Sequence, residues 1–161
     1  MPRLVNELYA QVKAQIDTAE GEWGKLMRKG LQEKLENIKK DGSHLHNIYD
    51  PLVFSTIKAQ AGGRLRMLMS GAAPTAKDVQ ELLKVTFCCS YPEAYGMTET
   101  AGGSIYAHPD DPNTGHVGGA LACMKVRLRD IPEMGYYYED PAGGNPKGEI
   151  CFKGTNIFTG Y

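Results

Sequence analysis

The sequence predicts an α/β fold with parallel αβ layers, a helical insertion at its start and a β-rich segment at its end; three observations carry it. Apolar residues recur at helical spacing as far as Ile38. Two apolar runs, Arg64 to Met69 and Val85 to Ser90, then flank a helical pattern built on Val79, Leu82 and Leu83. A strand, crossover helix, strand order of that length closes almost always as a right-handed parallel pair. In the last third, turn residues and alternating strands replace helical periodicity. The expected division is 1–49 helical, 50–119 αβ core and 120–161 β-rich.

Leu4, Leu8, Val12 and Ile16 form the stripe of a first amphipathic helix, widened by Val5 and Tyr9. Ala19 to Gly24 interrupts it, and Met27, Leu31, Leu35 and Ile38 start a second stripe. The outer face of that second helix carries Lys25, Arg28, Lys29, Lys34, Lys39 and Lys40 against Glu33 and Glu36. These charges suit either lipid headgroups or plain solvation. Asp41 to Asn47 is a loop whose His44 and His46 lack the further ligands a metal would need nearby. Asp50-Pro51 is a helix start and Gly62-Gly63 a stop. Arg64 to Met69 passes from alternation to a continuous apolar run and suits a strand buried on both faces. Thr75 with Asp78 resembles a capping box ahead of the next helix, and Val85 to Ser90 is the second buried strand. Tyr91-Pro92 ends it. His108 to Gly115 is dense turn chemistry; Lys125 to Arg129 and Glu149 to Lys153 are strands, expected to be antiparallel. His116 is a general-base candidate by residue type alone, and a lone histidine in a glycine-rich loop is more often structural.

With 161 residues and 42% hydrophobic content, the chain can bury one sizeable core. Its formal charge of -1 advertises neither nucleic acid nor an anionic membrane as a bulk partner. Specificity must come from a local site. Cys88, Cys89, Cys123 and Cys151 show no CxxC spacing, and Cys88-Cys89 reads as a pair of buried thiols in a reducing compartment. The start of the chain lacks the apolar region of a signal peptide, and no apolar stretch approaches the roughly 20 residues of a membrane span.

The densest chemistry lies in Tyr95-Gly96-Met97-Thr98-Glu99-Thr100. An aromatic face can stack on a base, a glycine lets backbone approach a ligand, a hydroxyl can donate to a phosphoryl oxygen and a carboxylate can hold Mg²⁺. Taken alone, the run also suits a polar loop after a strand. Element order favours the nucleotide: Gly71-Ala72-Ala73 and Glu93 to Glu99 both leave carboxyl ends of strands in one parallel sheet, the edge where open α/β folds bind ligands. No GxGxxG or GxxxxGK[ST] is present, so dinucleotide oxidoreductases and P-loop NTPases are not supported.

With both loops in view, the chain resembles the adenylate-forming, or AMP-binding, superfamily. Ser70-Gly71-Ala72-Ala73-Pro74 looks like its adenine loop, and Glu93-Ala94-Tyr95-Gly96-Met97-Thr98-Glu99-Thr100 like its signature loop. Gly115-His116-Val117-Gly118 and Gly148-Glu149-Ile150 recur downstream in family order. The stretches Tyr49 to Phe54, Ile131 to Tyr137 and Gly148 to Gly154, with the basic helix of Lys25 to Lys40, resemble eukaryotic long-chain fatty acid–CoA ligases.

The resemblance implies a part of the N-terminal domain of such an enzyme and a reaction in which ATP and a long-chain fatty acid give acyl-adenylate and pyrophosphate, after which CoA displaces AMP. It implies that Tyr95 stacks on adenine, with Gly71, Ala72 and Ala73 on the other side and Glu93 and Ala94 at the polar edge. Gly96 and Met97 continue the nucleotide loop, Thr98 contacts the α-phosphate, and Glu99 holds Mg²⁺; Thr98 and Glu99 are the catalytic candidates. Gly102-Gly103 would keep an acyl tunnel open. It also implies a cytosolic membrane face of endoplasmic reticulum, mitochondrion or peroxisome, with peripheral membrane contact and no nucleic-acid partner. The phosphate loop, the ribose-binding aspartate and the C-terminal lid with its lysine have no counterpart in these residues, so an internal fragment, inactive alone, is expected. The alternative is a non-catalytic nucleotide-binding or interaction module.

Overall fold

A computed structural model describes residues 2–161. The chain forms two compact units, one running to Tyr95 and resuming over Tyr106–Gly118, the other comprising Gly96–Ile105 and Gly119–Tyr161.

The first unit begins with α1 (Pro2–Thr18) and α2 (Gly21–Asp41), separated by a shorter break than the sequence predicts. Val12, Ile16, Met27 and Ile38 of the expected stripes are buried, with Leu8, Leu31 and Leu35 half-buried, whereas Leu4, the expected start of the first stripe, is exposed. The helix after Asp50-Pro51 also forms, yet it opens with a π turn over Asp50–Phe54 before α3 (Ser55–Gln60). Asp50 does not cap it. Its carboxylate accepts from the His46 N–H at 2.8 Å and pairs with Lys34.

Lys34 corrects the picture of α2 as carrying a wholly solvated charge row. It is fully buried, donating to Asp50, to the Val85 carbonyl at 2.5 Å and to Cys88 Sγ at 3.3 Å, with Nζ 4.6 Å from the Phe54 ring centre. Helical spacing alone could not reveal this, because the partners come from three later segments.

After α3 the expected strand over Arg64 to Met69 is nearly absent. Met67 makes a single parallel bridge to Ser90, and Met67 and Met69 are exposed. Leu65 and Leu68 instead turn onto the core, and pairing is confined to β1 (Ser70–Gly71).

The other expected strand, Val85 to Ser90, is a larger error. Val85 and Thr86 are the last turn of α4 (Lys77–Thr86), both fully buried, and the Thr86 hydroxyl bonds back to the Leu82 carbonyl at 2.8 Å. Tertiary burial overrides the β propensity of valine and threonine. α4 starts after Ala76, without the Thr75 capping box. It packs on α1 and α2, and its buried polar groups are paired. Gln80 Nε2 donates to the Tyr91 carbonyl at 2.7 Å, while Lys84 Nζ donates to the Asp111 carbonyl at 3.2 Å. The core closes around Ile16, Met27, Phe54, Ile57, Leu83 and Phe87.

The true second strand is β2 (Glu93–Met97), so most of the expected signature loop is extended sheet. It pairs parallel with β1, Ser70 opposite Glu93 and Gly71 opposite Ala94. β3 (Gly102–Tyr106) and β4 (Gly119–Ala120) are neighbouring strands. In the second unit β5 (Met124–Arg129) and β6 (Glu149–Gly154) form the expected antiparallel pair.

Candidate functional site

The site candidates fall into two groups, one in each unit. In the first, Gly71 ends β1 and Ala72 and Ala73 follow it directly, while Glu93, Ala94 and Tyr95 lie on β2 beside it. Gly71 sits close to β2: a Cβ there would lie 3.1 Å from the Ala94 carbonyl oxygen, tighter than ordinary packing. Ala72 adopts φ 72°, a left-handed conformation that costs a non-glycine residue about 1–2 kcal/mol.

What holds that conformation is a set of three side chains at the mouth of the loop. Glu93 is buried at 4% exposure, and its Oε1 accepts from the Thr75 N–H at 2.8 Å and from the Ser70 hydroxyl at 3.3 Å. The Ser70 and Thr75 hydroxyls bond each other at 2.9 Å. Glu93 therefore ties both ends of the 70–75 loop to β2. Ser70 and Thr75 were missed as site residues, since a helix-capping pattern explained Thr75 equally well from sequence. Tyr95 is half-buried at the end of this unit.

The second group comprises Gly96, Met97, Thr98 and Glu99. A Cβ on Gly96 would collide with the Gly102 carbonyl, so glycine alone fits where β2 turns toward β3. Thr98–Thr100 is a 3₁₀ turn, closed by the buried Thr100 hydroxyl. That hydroxyl accepts from the Met97 N–H at 3.1 Å and donates to the Gly102 carbonyl at 2.8 Å. Thr98 is exposed. Glu99 is half-exposed; its own backbone N–H and the Tyr161 hydroxyl, 2.8 Å away, hold its carboxyl below the usual carboxylate range. The Tyr161 phenol is pushed up in return, chiefly by that same hydrogen bond. Glu99 is thus an ionised, hydrogen-bonded carboxylate on a short turn, and Tyr161 is a partner that no local motif announced.

Other candidates have plainer roles. His46 Nδ1 accepts from the Ile48 and Tyr49 N–H groups, and His116 Nδ1 accepts from the Gly118 N–H at 3.0 Å while Nε2 lies 3.4 Å from Asp111. Among the described residues no three metal-ligating side chains cluster. Cys89 is buried and Cys88 half-buried, with burial pushing the Cys88 thiol up to about 11.

A β1–α4–β2 unit with a glycine-alanine loop after β1 defines an α/β domain. The A domain of carboxylic acid reductase from Segniliparus rugosus, solved with AMP and a carboxylic acid, shares the fold, with a TM-score of 0.54 and 22% identity over 81% of this chain and 19% of that one. Residues 1–161 match the family model described as AMP-binding enzyme, and the chain belongs to that family. Fatty acyl-CoA synthetase A of Dictyostelium discoideum is 43% identical over 71% of this chain and 17% of its own length. Peroxisomal long chain acyl-CoA synthetase 6 of Arabidopsis thaliana is 40% identical over 100% of this chain and 22% of its own. Long-chain-fatty-acid–CoA ligase 5 of Mus musculus is 35% identical over the same shares, 100% and 22%. The chain therefore spans about a fifth of the length of these curated relatives.

Proposed function

We propose that this chain is the central part of the AMP-binding domain of a long-chain fatty acid–CoA ligase, with the helical, αβ and β-rich divisions at 1–49, 50–119 and 120–161. The reaction joins a fatty carboxylate to the α-phosphate of ATP, releasing pyrophosphate, and CoA thiolate then displaces AMP from the acyl-adenylate. The observation that carries this reading is the ionised Glu99 beside the exposed Thr98 on one short turn, in a chain whose curated relatives are named as such ligases.

Each residue has work suited to its chemistry. Gly71, Ala72 and Ala73 offer backbone to one face of the adenine, Tyr95 offers its ring to the other, and Ala94 lies at the polar edge. Glu93 acts there by holding the loop. Gly96 and Met97 lead into the turn, where the Thr98 hydroxyl donates to an α-phosphate oxygen. Such a donor, placed before charge develops, stabilises the displacement. Glu99 would hold Mg²⁺: one carboxylate with nucleotide phosphates and waters is an ordinary magnesium ligand set. Once bound, the cation would offset charge building on the phosphoryl oxygens. Gly102-Gly103 leaves room for the acyl chain beyond the turn.

Among the described residues no helix is long and apolar enough to cross a membrane. Contact with the cytosolic face of an intracellular membrane fits the exposed Lys25, Arg28, Lys29, Lys39 and Lys40 of α2. The test is fatty-acid-dependent exchange of labelled pyrophosphate into ATP, measured in the complete ligase. Thr98→Val and Glu99→Gln should each lower exchange by about 10²-fold, the usual effect of losing one preorganised transition-state contact. Exchange at wild-type rate in both variants would refute the assignment.

A further inference from the structure

The β5–β6 pair carries a charge pattern that adenylation does not use. Successive side chains of a strand alternate between faces, and the register sets Lys125 opposite Lys153, Arg127 opposite Cys151 and Arg129 opposite Glu149. One face therefore holds four cations and one carboxylate. Arg129 pairs with Glu149. Among the described residues, Lys125, Arg127 and Lys153 have no acidic partner, and all three are exposed.

This arrangement works against the hairpin. Like charges directly opposite one another destabilise a sheet, and a two-stranded ribbon has little stability to lose. The Arg129–Glu149 step shows the favourable alternative one pair away. The repulsion between Lys125 and Lys153 is relieved when an anion lies between them. A depression of about 270 Å³ lies at this place, lined by Lys125, Arg127, Cys151 and Lys153 with the intervening Val126 and Phe152. A neighbouring hollow of about 410 Å³ extends to Thr155 and the exposed Cys123. No carboxylate lines either one.

We propose that this face of β5–β6 is a binding site for a small phosphate-bearing ligand, a phosphate monoester or diphosphate. The planar guanidinium of Arg127 can take two phosphate oxygens at once, and the two ammonium groups act as point charges beside it. Strand geometry places neighbouring Cβ atoms about 4.5–5.5 Å apart across the pair, close enough for several cations to reach one phosphate group. A planar anionic bilayer fits less well. The connection between the strands exposes Asp130, Glu133 and Glu139, which would repel it. The proposal goes beyond the adenylation reading and does not depend on it, because Thr98 and Glu99 take no part in this face.

The test is a titration of the 161-residue chain with inorganic pyrophosphate at fixed ionic strength, followed by backbone amide shifts. Saturating shifts confined to β5, β6 and Thr155 are expected. Lys153→Glu should weaken binding at least tenfold while raising the thermal midpoint, since it exchanges a like-charge pair for an opposite one; a plain loss of structure would lower both. Arg127→Lys should weaken binding several-fold, and Lys13→Gln should change nothing. The proposal is overturned by any of three results: shifts spread over the lysines of α1 and α2 or confined to Thr98–Thr100, wild-type affinity in Lys153→Glu, or binding to phosphatidylglycerol vesicles with none to pyrophosphate. The wild-type shift map decides the location even if a variant fails to fold.

Discussion

Replacing Glu93 by alanine removes the group that fixes the Ser70 to Thr75 loop, and the size of the effect follows from its bonds. The Thr75 N–H loses a charge-assisted acceptor at 2.8 Å, a contact contributing about 1.5–3 kcal/mol. The Ser70 contact at 3.3 Å is long for a hydroxyl, and Ser70 keeps Thr75 as a partner, so it adds little. Ala72 at φ 72° supplies a local drive to relax once the tie is cut. Loop opening should therefore become easier by about 2 kcal/mol, or roughly 30-fold in the open population. Native-state hydrogen exchange of the Thr75 amide reads this directly, with Phe87, bonded to the Leu83 carbonyl, as an unaffected control. Glu93→Gln keeps an acceptor and loses the charge; neutral hydrogen bonds being about half as strong, the change should be near fivefold. In the complete ligase, AMP affinity should fall in the same order. If the Thr75 amide in Glu93→Ala exchanges within twofold of wild type, Glu93 does not hold the loop and the reasoning fails.

Two further outcomes test the buried and the exposed carboxylates. Lys34→Ala leaves Asp50, itself mostly buried, without its cation and should cost about 3–5 kcal/mol in denaturant unfolding. Lys34→Met, which keeps the packing against Phe54, should cost less, and equal losses would show that the lost charge rather than the lost volume sets the cost there. Glu99 has a lowered carboxyl and Tyr161 a raised phenol, so their bond contributes at neutral pH. Its carboxylate side is lost as pH falls through and below the ordinary carboxylate range, and its phenol side as pH rises beyond the ordinary tyrosine range. Tyr161→Phe should shift the Glu99 midpoint upward in a carboxyl NMR titration, only part of the way, because the larger cause is Glu99's own backbone N–H. An unchanged midpoint would exclude the hydroxyl as a cause.

Local chemistry by itself determined the two opening helices, the strand–helix–strand order though not its strands, the closing antiparallel pair and the two loops that carry the family match. Each rests on periodicity, turn residues or short motifs, which neighbours along the chain express. Only the tertiary structure decided which backbone those motifs occupy. Val85 and Thr86 became helix because α4 is buried on several sides, and the strand moved to Glu93–Met97, where Ser70 and Gly71 offered partners. The buried Lys34 and the Glu93 tie were illegible for the same reason. Lys34 meets Asp50, Val85 and Cys88, and Glu93 meets Ser70 and Thr75. Spacing along a chain reports which side chains share a face, whereas the cost of burying a charge depends on partners that only folding brings within reach.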